Sequence, residues 1–383
     1  MKKIVLIPDS FKGTLTSMEI CSLLTRAVRE ILPGTAAVQI PVGDGGEGTA
    51  DAFWMAMGGQ RRALSVSGPH FESVGSSYVL LPDGTAVIEM AAAAGLPLCH
   101  SPLDPMNATT YGVGELMADA LNYGCTRIIL GLGGSATNDG GCGAACALGA
   151  KFFSSSGEAF IPTGGTLEQI ASIDLSCLHA TLGGIPVTCM CDIDNPLYGE
   201  TGAARVFAPQ KGASPEQVRV LDRGLRHLAK KIREAVGFDI SALPGAGAAG
   251  GMGGGCAAFF GGQLKSGIET VLDTVRFDHL AADADLIVTG EGKIDSQSVH
   301  GKVVCGVSKR ALALKIPCIA IVGDAGEGYE SLYEQGLTAV FSINRTAIPF
   351  EQAQKRAQED LYRTACDIFR VVRTFPPGGP FDV

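Results

Sequence analysis

A glycine-rich segment at residues 131–143 constrains this chain more than any other feature. It has the sequence GLGGSATNDGGCG and contains six glycines. The apolar run Ile128–Leu130 before it is typical of a buried strand, and the small apolar residues of Ala144–Ala150 after it predict a helix. A glycine loop between a strand and a helix presents backbone N–H groups and the positive end of the helix dipole to a ligand. The segment is therefore either a simple turn or a binding site for an anion, usually a phosphate.

Length and composition predict two well-buried cores. A chain of 383 residues exceeds the size of one typical domain, and its content of 46% hydrophobic and 18% charged residues argues against disorder. The net charge of −9 disfavours nonspecific binding to nucleic acid. It does not exclude an anionic substrate, because a few local cations and Mg²⁺ can set the field within a binding site.

The cysteines indicate neither a zinc site nor a disulfide framework. All twelve are scattered without a CxxC pair, and the six histidines are dispersed, so we expect most cysteines to be small core residues. Reduced thiols and the lack of a secretory signal predict a cytoplasmic protein. The segment Ile240–Leu264 has no charge, but its nine glycines would weaken a helix by about 1 kcal/mol each, so no membrane span is expected.

The order of strands and helices predicts an α/β fold. A strand at Lys3–Pro8, a helix at Ser17–Leu32, a strand at Ala36–Val42 and a helix at Gly46–Met57 alternate in the manner of a parallel sheet. In residues 61–90, stretches in which apolar and polar residues alternate are separated by turns, and this pattern predicts antiparallel strands. The βαβα pattern returns from Asp285. We therefore expect one domain, residues 1–65 plus 283–383, to be interrupted by an inserted domain, residues 66–282.

A second glycine-dense run leaves two interpretations open. Residues 245–255 have the sequence GAGAAGGMGGG. Such a run is typical of a flexible linker. It could equally surround a phosphate or a ribose, or allow helices to approach closely.

Polar and glycine-containing loops follow six of the predicted parallel strands. Their sequences are DSFKGT at 9–14, GDGGEGT at 43–49, GGSATNDGG at 133–141, CDIDNPLYG at 191–199, TGEGKID at 289–295 and GDAGEG at 323–328. Ligands of α/β domains bind beyond the carboxyl ends of the strands, so we expect these loops to meet in one cleft between the domains. Their mixture of carboxylates, lysines and glycine backbone suits phosphoryl transfer.

Known nucleotide motifs are weak or missing in the sequence. The Walker A pattern GxxxxGK[ST] does not occur. Residues 131–136 fit the dinucleotide pattern GxGxxA, but the next predicted strand, near Lys151–Phe153, ends in three serines instead of the acidic residue that would bind a ribose. This disfavours a nicotinamide cofactor.

Taken together, these motifs resemble the type-1 glycerate kinase family. The resemblance rests on the ordered motifs DSFKGTLTS at 9–17, VGDGGEGT at 42–49, GLGGSATNDGGCG at 131–143, CDIDNPLYG at 191–199, QKGA at 210–213, GAGAAGG at 245–251, and TGEGKIDSQS at 289–298 followed by Gly301 and Lys302. It extends from the N-terminus to about Lys309. Beyond Ile321 no motif of the family is matched.

The resemblance implies a kinase that uses ATP and Mg²⁺. It would phosphorylate D-glycerate, a small-molecule substrate, at the 2-hydroxyl to give 2-phosphoglycerate. It also implies two α/β domains, a flavodoxin-like parallel-sheet domain and a mixed α/β domain inserted into it. Phosphorylation at the 3-hydroxyl stays open, as does the oligomeric state, for which a homodimer is one possibility.

Our own hypotheses assign roles to residues in these motifs. For catalysis we expect Asp192 to orient the acceptor hydroxyl, with Asp44 as the competing candidate, and Lys12 to hold the glycerate carboxylate or the transferred group. The remaining candidates are Gly133, Gly134, Ser135 and Asn138 for the nucleotide phosphates, Lys211, Asn195 and Lys302 for the substrate, and Glu291 and Asp295 for Mg²⁺.

Two other functional classes compete with a kinase. One is a nicotinamide-dependent oxidoreductase acting on a hydroxy acid, and the other is a sensor that closes on a sugar acid without chemistry. The sensor would need a nucleic-acid or partner module, and the sequence shows no basic helix-turn-helix candidate.

Overall fold

The computed structural model describes residues 1–43, 45–299 and 302–374. These residues form β-strands and α-helices that we number in chain order. The strands are β1 Lys3–Pro8, β2 Ala36–Gln39, β3 Gln60–Ser67, β4 Ser73–Leu80, β5 Thr85–Glu89, β6 Arg127–Gly131, β7 Lys151–Phe153, β8 Ala159–Phe160, β9 Ser172–Asp174, β10 Val187–Met190, β11 Gln263–Lys265, β12 Leu286–Gly290, β13 Lys293–Ile294, β14 Cys318–Val322, β15 Asp324–Ala325 and β16 Leu337–Ser342. The helices are α1 Ser17–Ile31, α2 Thr49–Met57, α3 Ala91–Ala94, α4 Tyr111–Asn122, α5 Cys142–Ala147, α6 Ser176–Leu182, α7 Ala203–Phe207, α8 Pro215–Val236, α9 Ala248–Phe260, α10 Gly267–Thr274, α11 Phe277–Ala281, α12 Val303–Leu314, α13 Ser331–Glu334 and α14 Phe350–Thr374.

The chain divides into two compact units. The first unit contains Met1–Gly43, Met55–Met57 and the described residues from Gly267 onward. The second unit contains residues 45–54 and Gly58–Ser266. The domain limits expected from the sequence, 1–65 plus 283–383 and 66–282, remain a prediction.

The first unit contains a parallel five-stranded sheet with the strand order β2-β1-β12-β14-β16. Numbered within the unit, this order is 2-1-3-4-5, which is the flavodoxin-like doubly wound topology. The flavodoxin-like fold expected from the resemblance is therefore confirmed. In this topology the strand order reverses between β1 and β12, and ligands bind beyond the carboxyl ends of the strands at that reversal.

Helix α1 illustrates how local sequence sets the elements of the first unit. Thr16 precedes the helix and forms a capping box with Glu19: the Glu19 N–H donates to Thr16 Oγ1 over 3.2 Å, and the Thr16 N–H donates to Glu19 Oε2 over 2.8 Å. The apolar face of the helix buries Leu24 and Val28 completely. The helix thus packs one side onto the core and leaves its charged side outside.

The second unit contains a mixed six-stranded sheet with the order β11-β10-β6-β5-β4-β3. Strand β4 pairs antiparallel with β3 on one side and with β5 on the other, as predicted for residues 61–90. The strands β5, β6, β10 and β11 run parallel. Helix α8 packs its predicted stripe, including Leu221, Leu225 and Leu228, into the core of this unit. The described part of the chain contains no helix that is long and apolar enough to cross a bilayer.

The glycine-dense run at 245–255 is not a flexible linker. Residues 248–255 belong to α9, which is kinked near its start, where Ala249, Gly250 and Gly251 adopt left-handed backbone conformations, and which is almost completely buried. The linker interpretation is wrong because the glycines are needed for close packing. A Cβ atom at Gly255 would lie 2.2 Å from the carbonyl oxygen of Gly140, and one at Gly250 would lie 2.0 Å from that of Thr137. The backbone of the run therefore lies directly against the end of the 131–143 segment.

We predict that Gly255→Ala destabilises the second unit. The added methyl group collides with a backbone carbonyl that cannot rotate away, so we expect the free energy of unfolding to fall by about 2–3 kcal/mol. Urea unfolding followed by circular dichroism measures this change. Gly75→Ala is the matched control, because a Cβ at Gly75 in β4 has no heavy atom within 4 Å. Equal stability of the two variants would contradict the packing argument.

Candidate active site

In the second unit, the loop after β6 packs against another glycine-rich segment. The N–H of Gly133 donates to the carbonyl oxygen of Gly45 over 2.8 Å. A Cβ at Gly133 would lie 2.5 Å from Gly46 Cα, and one at Gly131 would lie 2.4 Å from Gly45 O. Glycine is required where two backbones approach this closely. Two of the six predicted strand-end loops are thus brought together.

Residues 94–96 hold the opposite side of the same loop. The N–H of Ala136 donates to Ala94 O and the N–H of Leu96 donates to Gly134 O, both over 2.9 Å. Gly134 has a φ of +72°, a conformation that L side chains rarely adopt. The backbone at Gly133–Ser135 is therefore fixed from both sides.

Asp139 anchors the end of this loop. Its carboxylate is buried and accepts hydrogen bonds from the N–H of Thr110 over 2.8 Å, from Thr110 Oγ1 over 2.8 Å, from Gly141 N over 3.0 Å and from Gly143 N over 3.2 Å. Burial raises the pKa of this carboxyl, whereas these four hydrogen bonds lower it. Thr110 Oγ1 also accepts from the N–H of Ala144, so the same cluster ties the loop to the first turn of α5.

Lys211 joins two of the predicted site residues. It lies in a 3₁₀ turn, Pro209–Lys211, and is only 2% exposed. Its Nζ donates to Ser135 Oγ over 2.8 Å and to Thr137 O over 2.7 Å. Burial lowers the pKa of this amine to about 7, and the charge of Asp139 acts in the opposite direction. Lys211 therefore holds the loop at Ser135 and Thr137, and its amine changes charge near neutral pH.

Two further side chains of the loop carry buried polar atoms with no hydrogen-bond partner among the described residues. These atoms are Thr137 Oγ1 and both side-chain polar atoms of Asn138. Neither residue has any exposed surface. A buried polar atom without a partner costs about 1–3 kcal/mol. The loop therefore has unused hydrogen-bonding capacity beside the Lys211–Ser135 contact.

Asp192 and Asn195 follow β10, the parallel neighbour of β6. Met190 and Gly131 are register partners, so Asp192 leaves the sheet at the same edge as the glycine loop. Asp192 is exposed. Asn195 is half-buried, and its Nδ2 donates to Thr201 O over 2.8 Å, while its own carbonyl accepts from Gly247 N over 2.9 Å. Asn195 thus shapes its own loop and ties it to the residues that precede α9.

In the first unit, carboxylates gather where the strand order reverses. Glu291 follows β12 directly, is 5% exposed, and has an Oε1 atom for which the described residues supply no hydrogen-bond partner. Burial raises the pKa of Glu291 to about 7. The charges of Asp9 and Asp295 also raise this pKa. A hydrogen bond to the Ser298 side chain and the charge of Lys302 lower it. Asp9 follows β1, and its N–H donates to Gly290 O over 2.8 Å.

The loop after β12 is braced by the loop after β14. Three N–H groups of the second loop donate to carbonyls of the first: Gly323 to Glu291, Asp324 to Gly292 and Gly326 to Ile294. Asp295 Oδ1 accepts from Gln297 N over 2.9 Å, and Lys293 Nζ lies 3.8 Å from Asp295 Oδ2. Both strand-end loops predicted here therefore lie together.

The two lysines of the first unit that the sequence selects as site candidates lie at the same end of its sheet. Lys302 is exposed and precedes the first turn of α12. Lys12 is exposed in the turn after β1, and a Cβ at Gly292 would lie 3.4 Å from Lys12 N. Of the predicted site residues, Lys12, Glu291, Asp295 and Lys302 are thus associated with neighbouring loops, whereas Asp44 lies outside the described residues.

The carboxylates of the first unit fit a Mg²⁺ ion that is also bound by phosphate oxygens. Mg²⁺ is usually held by one or two carboxylates, with water and substrate oxygens completing its shell. Glu291 offers a buried oxygen that has no partner within residues 1–43, 45–299 and 302–374, and the charge of Asp295 raises the pKa of Glu291, as expected for two carboxylates that share a cation. Within the described ranges, no three His, Cys, Asp or Glu side chains form a complete protein ligand set.

Sequence reasoning missed the residues that organise the glycine loop. Asp139 is one of the carboxylates that the predicted loops contribute, but the sequence assigns it no role, and Thr110 is not a candidate at all, although the Asp-Gly pair at 139–140 signals a turn that needs a hydrogen-bond acceptor. The sequence gives no reason to select Thr137 as a functional residue beyond its position in the glycine loop. Ser298, which hydrogen-bonds to Glu291, lies in the motif TGEGKIDSQS and was not singled out.

The environment of Lys211 predicts a pH-dependent contribution to stability. Its pKa is about 7 in the folded chain and 10.5 in an unperturbed lysine, so between these values the unfolded chain binds a proton that the folded chain does not. Stability must therefore rise with pH in this window. Relative to Lys211→Met, we expect the wild type to gain about 2 kcal/mol of unfolding free energy between pH 7.5 and 9.5.

Urea unfolding of both proteins at the two pH values provides the measurement. Lys230→Met is the control, since this lysine is 72% exposed in the same unit and should give the wild-type pH dependence. Parallel pH profiles for the wild type and Lys211→Met would show that the amine is not buried in the manner described.

Comparisons with known proteins agree over nearly the whole chain. The sequence profile of the "Glycerate kinase family" matches residues 4–373. A "Glycerate kinase" of Bacillus cereus is 46% identical over 373 residues, covering 96% of this chain and 97% of the relative. The "Glycerate 2-kinase" of Escherichia coli K12 is 43% identical over 368 residues, with 96% and 97% covered.

A solved structure supports the same assignment. The crystal structure of a Salmonella typhimurium LT2 protein, assigned as a glycerate kinase 2, superposes with a TM-score of 0.87 at 42% identity. The superposition covers 97% of this chain and 98% of the Salmonella chain. Sequence and fold thus agree: the chain belongs to the glycerate kinase family.

Proposed function

We propose that this protein is a glycerate kinase that transfers the γ-phosphoryl group of ATP to the 2-hydroxyl of D-glycerate. The reaction gives 2-phospho-D-glycerate and ADP, so the enzyme is a phosphotransferase with an alcohol acceptor. The observation that carries the proposal is the 43% identity, over 96% of the chain, to a protein named glycerate 2-kinase. That name favours the 2-hydroxyl over the 3-hydroxyl.

The glycine loop of the second unit supplies the site for the nucleotide phosphates. Phosphoryl transfer needs donors that are fixed before the reaction, because a preorganised site stabilises developing charge without rearrangement. The backbone at Gly133 and Gly134 is held from two sides, and Ser135 Oγ is held by Lys211. In the same loop, the side-chain amide of Asn138 finds no partner in the described part of the chain, and we propose that it pairs when nucleotide is bound.

Lys211 serves this site as an internal cation. An amine with a pKa of about 7 gains a proton when phosphate charge is brought near it, because an opposite charge favours the charged form. Lys211 thereby offsets phosphate charge while keeping Ser135 in place. We assign it to the phosphate side of the substrate site.

For glycerate binding we assign Asp192 and Asn195 in the second unit, and Lys12 and Lys302 in the first unit. Glycerate is a small anion with two hydroxyl groups, so its binding requires at least one cation and one hydrogen-bond acceptor. Asp192 is an exposed carboxylate at a strand end and can accept the proton of the attacking hydroxyl. Lys12 and Lys302 supply positive charge for the glycerate carboxylate, and Asp44 remains the competing base.

Glu291 and Asp295 would hold Mg²⁺ in the first unit. When bound, the ion neutralises charge on the β- and γ-phosphate oxygens. The protein contributes the buried oxygen of Glu291 and the braced loop that carries Asp295. Lys302 limits the repulsion between the carboxylates in the absence of a cation.

We further propose that the protein acts in the cytoplasm. Its twelve cysteines are all free and most are buried, which suits a reducing compartment.

The product of the reaction tests the proposal directly. Incubation with D-glycerate and MgATP should release ADP and yield, besides the signals of ADP, a phosphomonoester phosphorus NMR signal that is split by the single proton on C2. A phosphoryl group on C3 would instead couple to two protons. No ADP release, or a change in nicotinamide absorbance without ATP, would refute the kinase assignment in favour of a sensor or an oxidoreductase.

Substitution of Asp192 tests the acceptor site. Asp192→Asn keeps the size of the side chain and removes its ability to accept a proton, so kcat/KM should fall by about a hundredfold or more, mainly through kcat. Asp194→Asn is the matched control, because Asp194 is also exposed in the same loop. If both variants retain activity within a few-fold of the wild type, Asp192 has no direct role.

Lys12→Ala tests the cation that we assign to glycerate in the first unit. We expect a rise in KM for glycerate of about tenfold or more, since an ion pair with the substrate carboxylate is lost. Lys309→Ala on α12, an exposed lysine outside the motifs, should leave kcat/KM unchanged. An unchanged KM in Lys12→Ala would remove this residue from the substrate site.

A further inference from the structure

Glu89 ends β5 at the edge of the sheet where the loops of the candidate site begin, and it is not among the residues assigned above. It is the register partner of Gly131 in β6, and Gly131 is in turn the register partner of Met190 in β10. The N–H of Met90 donates to Gly131 O over 3.0 Å and so ties the ends of β5 and β6 together. The backbone that carries Glu89 is thus fixed directly beside the glycine loop.

The carboxylate of Glu89 caps the start of helix α2. Its Oε1 accepts a hydrogen bond from the N–H of Ala50, in the first turn of the helix, over 2.7 Å. Gly48, the residue before the helix, has no side chain that could accept such a bond. Burial raises the pKa of the Glu89 carboxyl, whereas hydrogen bonds from the backbone of Ala50 and of Gly48 lower it. The cap that α2 lacks in its own sequence therefore comes from β5.

The segment that this cap holds lies over two of the strand ends. A Cβ at Gly45 would lie 3.1 Å from Met190 Cβ and 3.6 Å from Gly131 Cα. The N–H of Gly45 donates to Oγ1 of Thr49, the first residue of α2, over 3.1 Å, and the carbonyl of Gly45 accepts from Gly133 N over 2.8 Å. A continuous series of contacts therefore runs from the start of α2 through Gly45 to the backbone of the glycine loop.

We propose that Glu89 is a positioning residue for nucleotide binding, an inference that rests on the proposed role of the glycine loop as the phosphate site. Glu89 acts through the segment 45–50 and not by contact with the nucleotide. The glycines at 45, 46 and 48 give this segment many accessible conformations, so it needs an external anchor to stay in one of them. With the anchor in place, Gly45 supports Gly133, and nucleotide binding does not have to order the loop first.

Calorimetric titration with MgADP tests the proposal. In Glu89→Ala the acceptor of the Ala50 N–H is lost, so we expect the Kd for MgADP to rise about tenfold or more. Glu89→Gln keeps an oxygen that accepts this hydrogen bond and removes only the charge, so its Kd should stay within about threefold of the wild-type value. A Kd in Glu89→Gln as high as that in Glu89→Ala would show that Glu89 acts through its charge, and would overturn the proposal.

Glu115→Ala is the matched control. Glu115 is likewise a half-buried carboxylate of the second unit, and it accepts a backbone hydrogen bond from Ser67 N over 2.6 Å at the end of β3, outside the six strand-end loops. Its loss should lower the melting temperature and leave the Kd for MgADP within about twofold of the wild-type value. An equal rise of the Kd in Glu115→Ala and Glu89→Ala would reduce the effect to general stability and refute a positioning role.

Hydrogen–deuterium exchange without ligand checks the contact itself. Amides of residues 48–50 should exchange several-fold faster in Glu89→Ala than in the wild type, and a cooperative thermal transition shows that the variant is folded. Unchanged exchange there would show that Glu89 does not hold the segment. A wild type that binds no MgADP would refute the proposed function and this inference with it. Binding of MgADP that is equally tight in the wild type and in Glu89→Ala would overturn this inference alone.

Discussion

The buried carboxylate of Asp139 is the interaction on which the rest of the candidate site depends. A charge without solvent is tolerated only when hydrogen bonds replace its water, and here four donors do so. Those donors belong to the N-terminal ends of α4 and α5 and to the loop between β6 and α5. One carboxylate therefore fixes where the glycine loop ends and where two helices begin.

Lys211 acts on the other part of the same loop. It holds Ser135 and the carbonyl of Thr137 from a turn that is 74–76 residues away in the sequence. Together with the backbone contacts at Gly45 and Ala94, it leaves the segment Gly133–Ser135 little freedom to move. A loop fixed in this way can bind phosphate without the cost of ordering it first.

In the first unit, the strand order brings polar residues together at one edge of the sheet. Its strand order reverses between β1 and β12, and the carboxylates Asp9 and Glu291 follow these two strands directly. Each unit, taken by itself, therefore carries its polar residues at the carboxyl ends of parallel strands. The shared cleft expected from the sequence remains a prediction.

Much of this could be predicted from the sequence because the signals are local. The strand at Lys3–Pro8 and the antiparallel strands within residues 61–90 are confirmed, and the helix predicted at Ser17–Leu32 is found at Ser17–Ile31. The helix predicted at Ala144–Ala150 is wrong in its limits: it spans Cys142–Ala147, because Gly149 adopts a φ of +103° and turns the chain into β7. Contacts between distant residues, such as Lys211 with Ser135, left no local pattern to find.

Hydrogen–deuterium exchange with and without MgADP tests the central claim most directly. If the loop fixed by Asp139 and Lys211 binds nucleotide phosphates, amides of residues 133–138 should exchange at least several-fold more slowly when MgADP is bound. Protection confined to other parts of the chain, with unchanged exchange in this loop, would contradict the account.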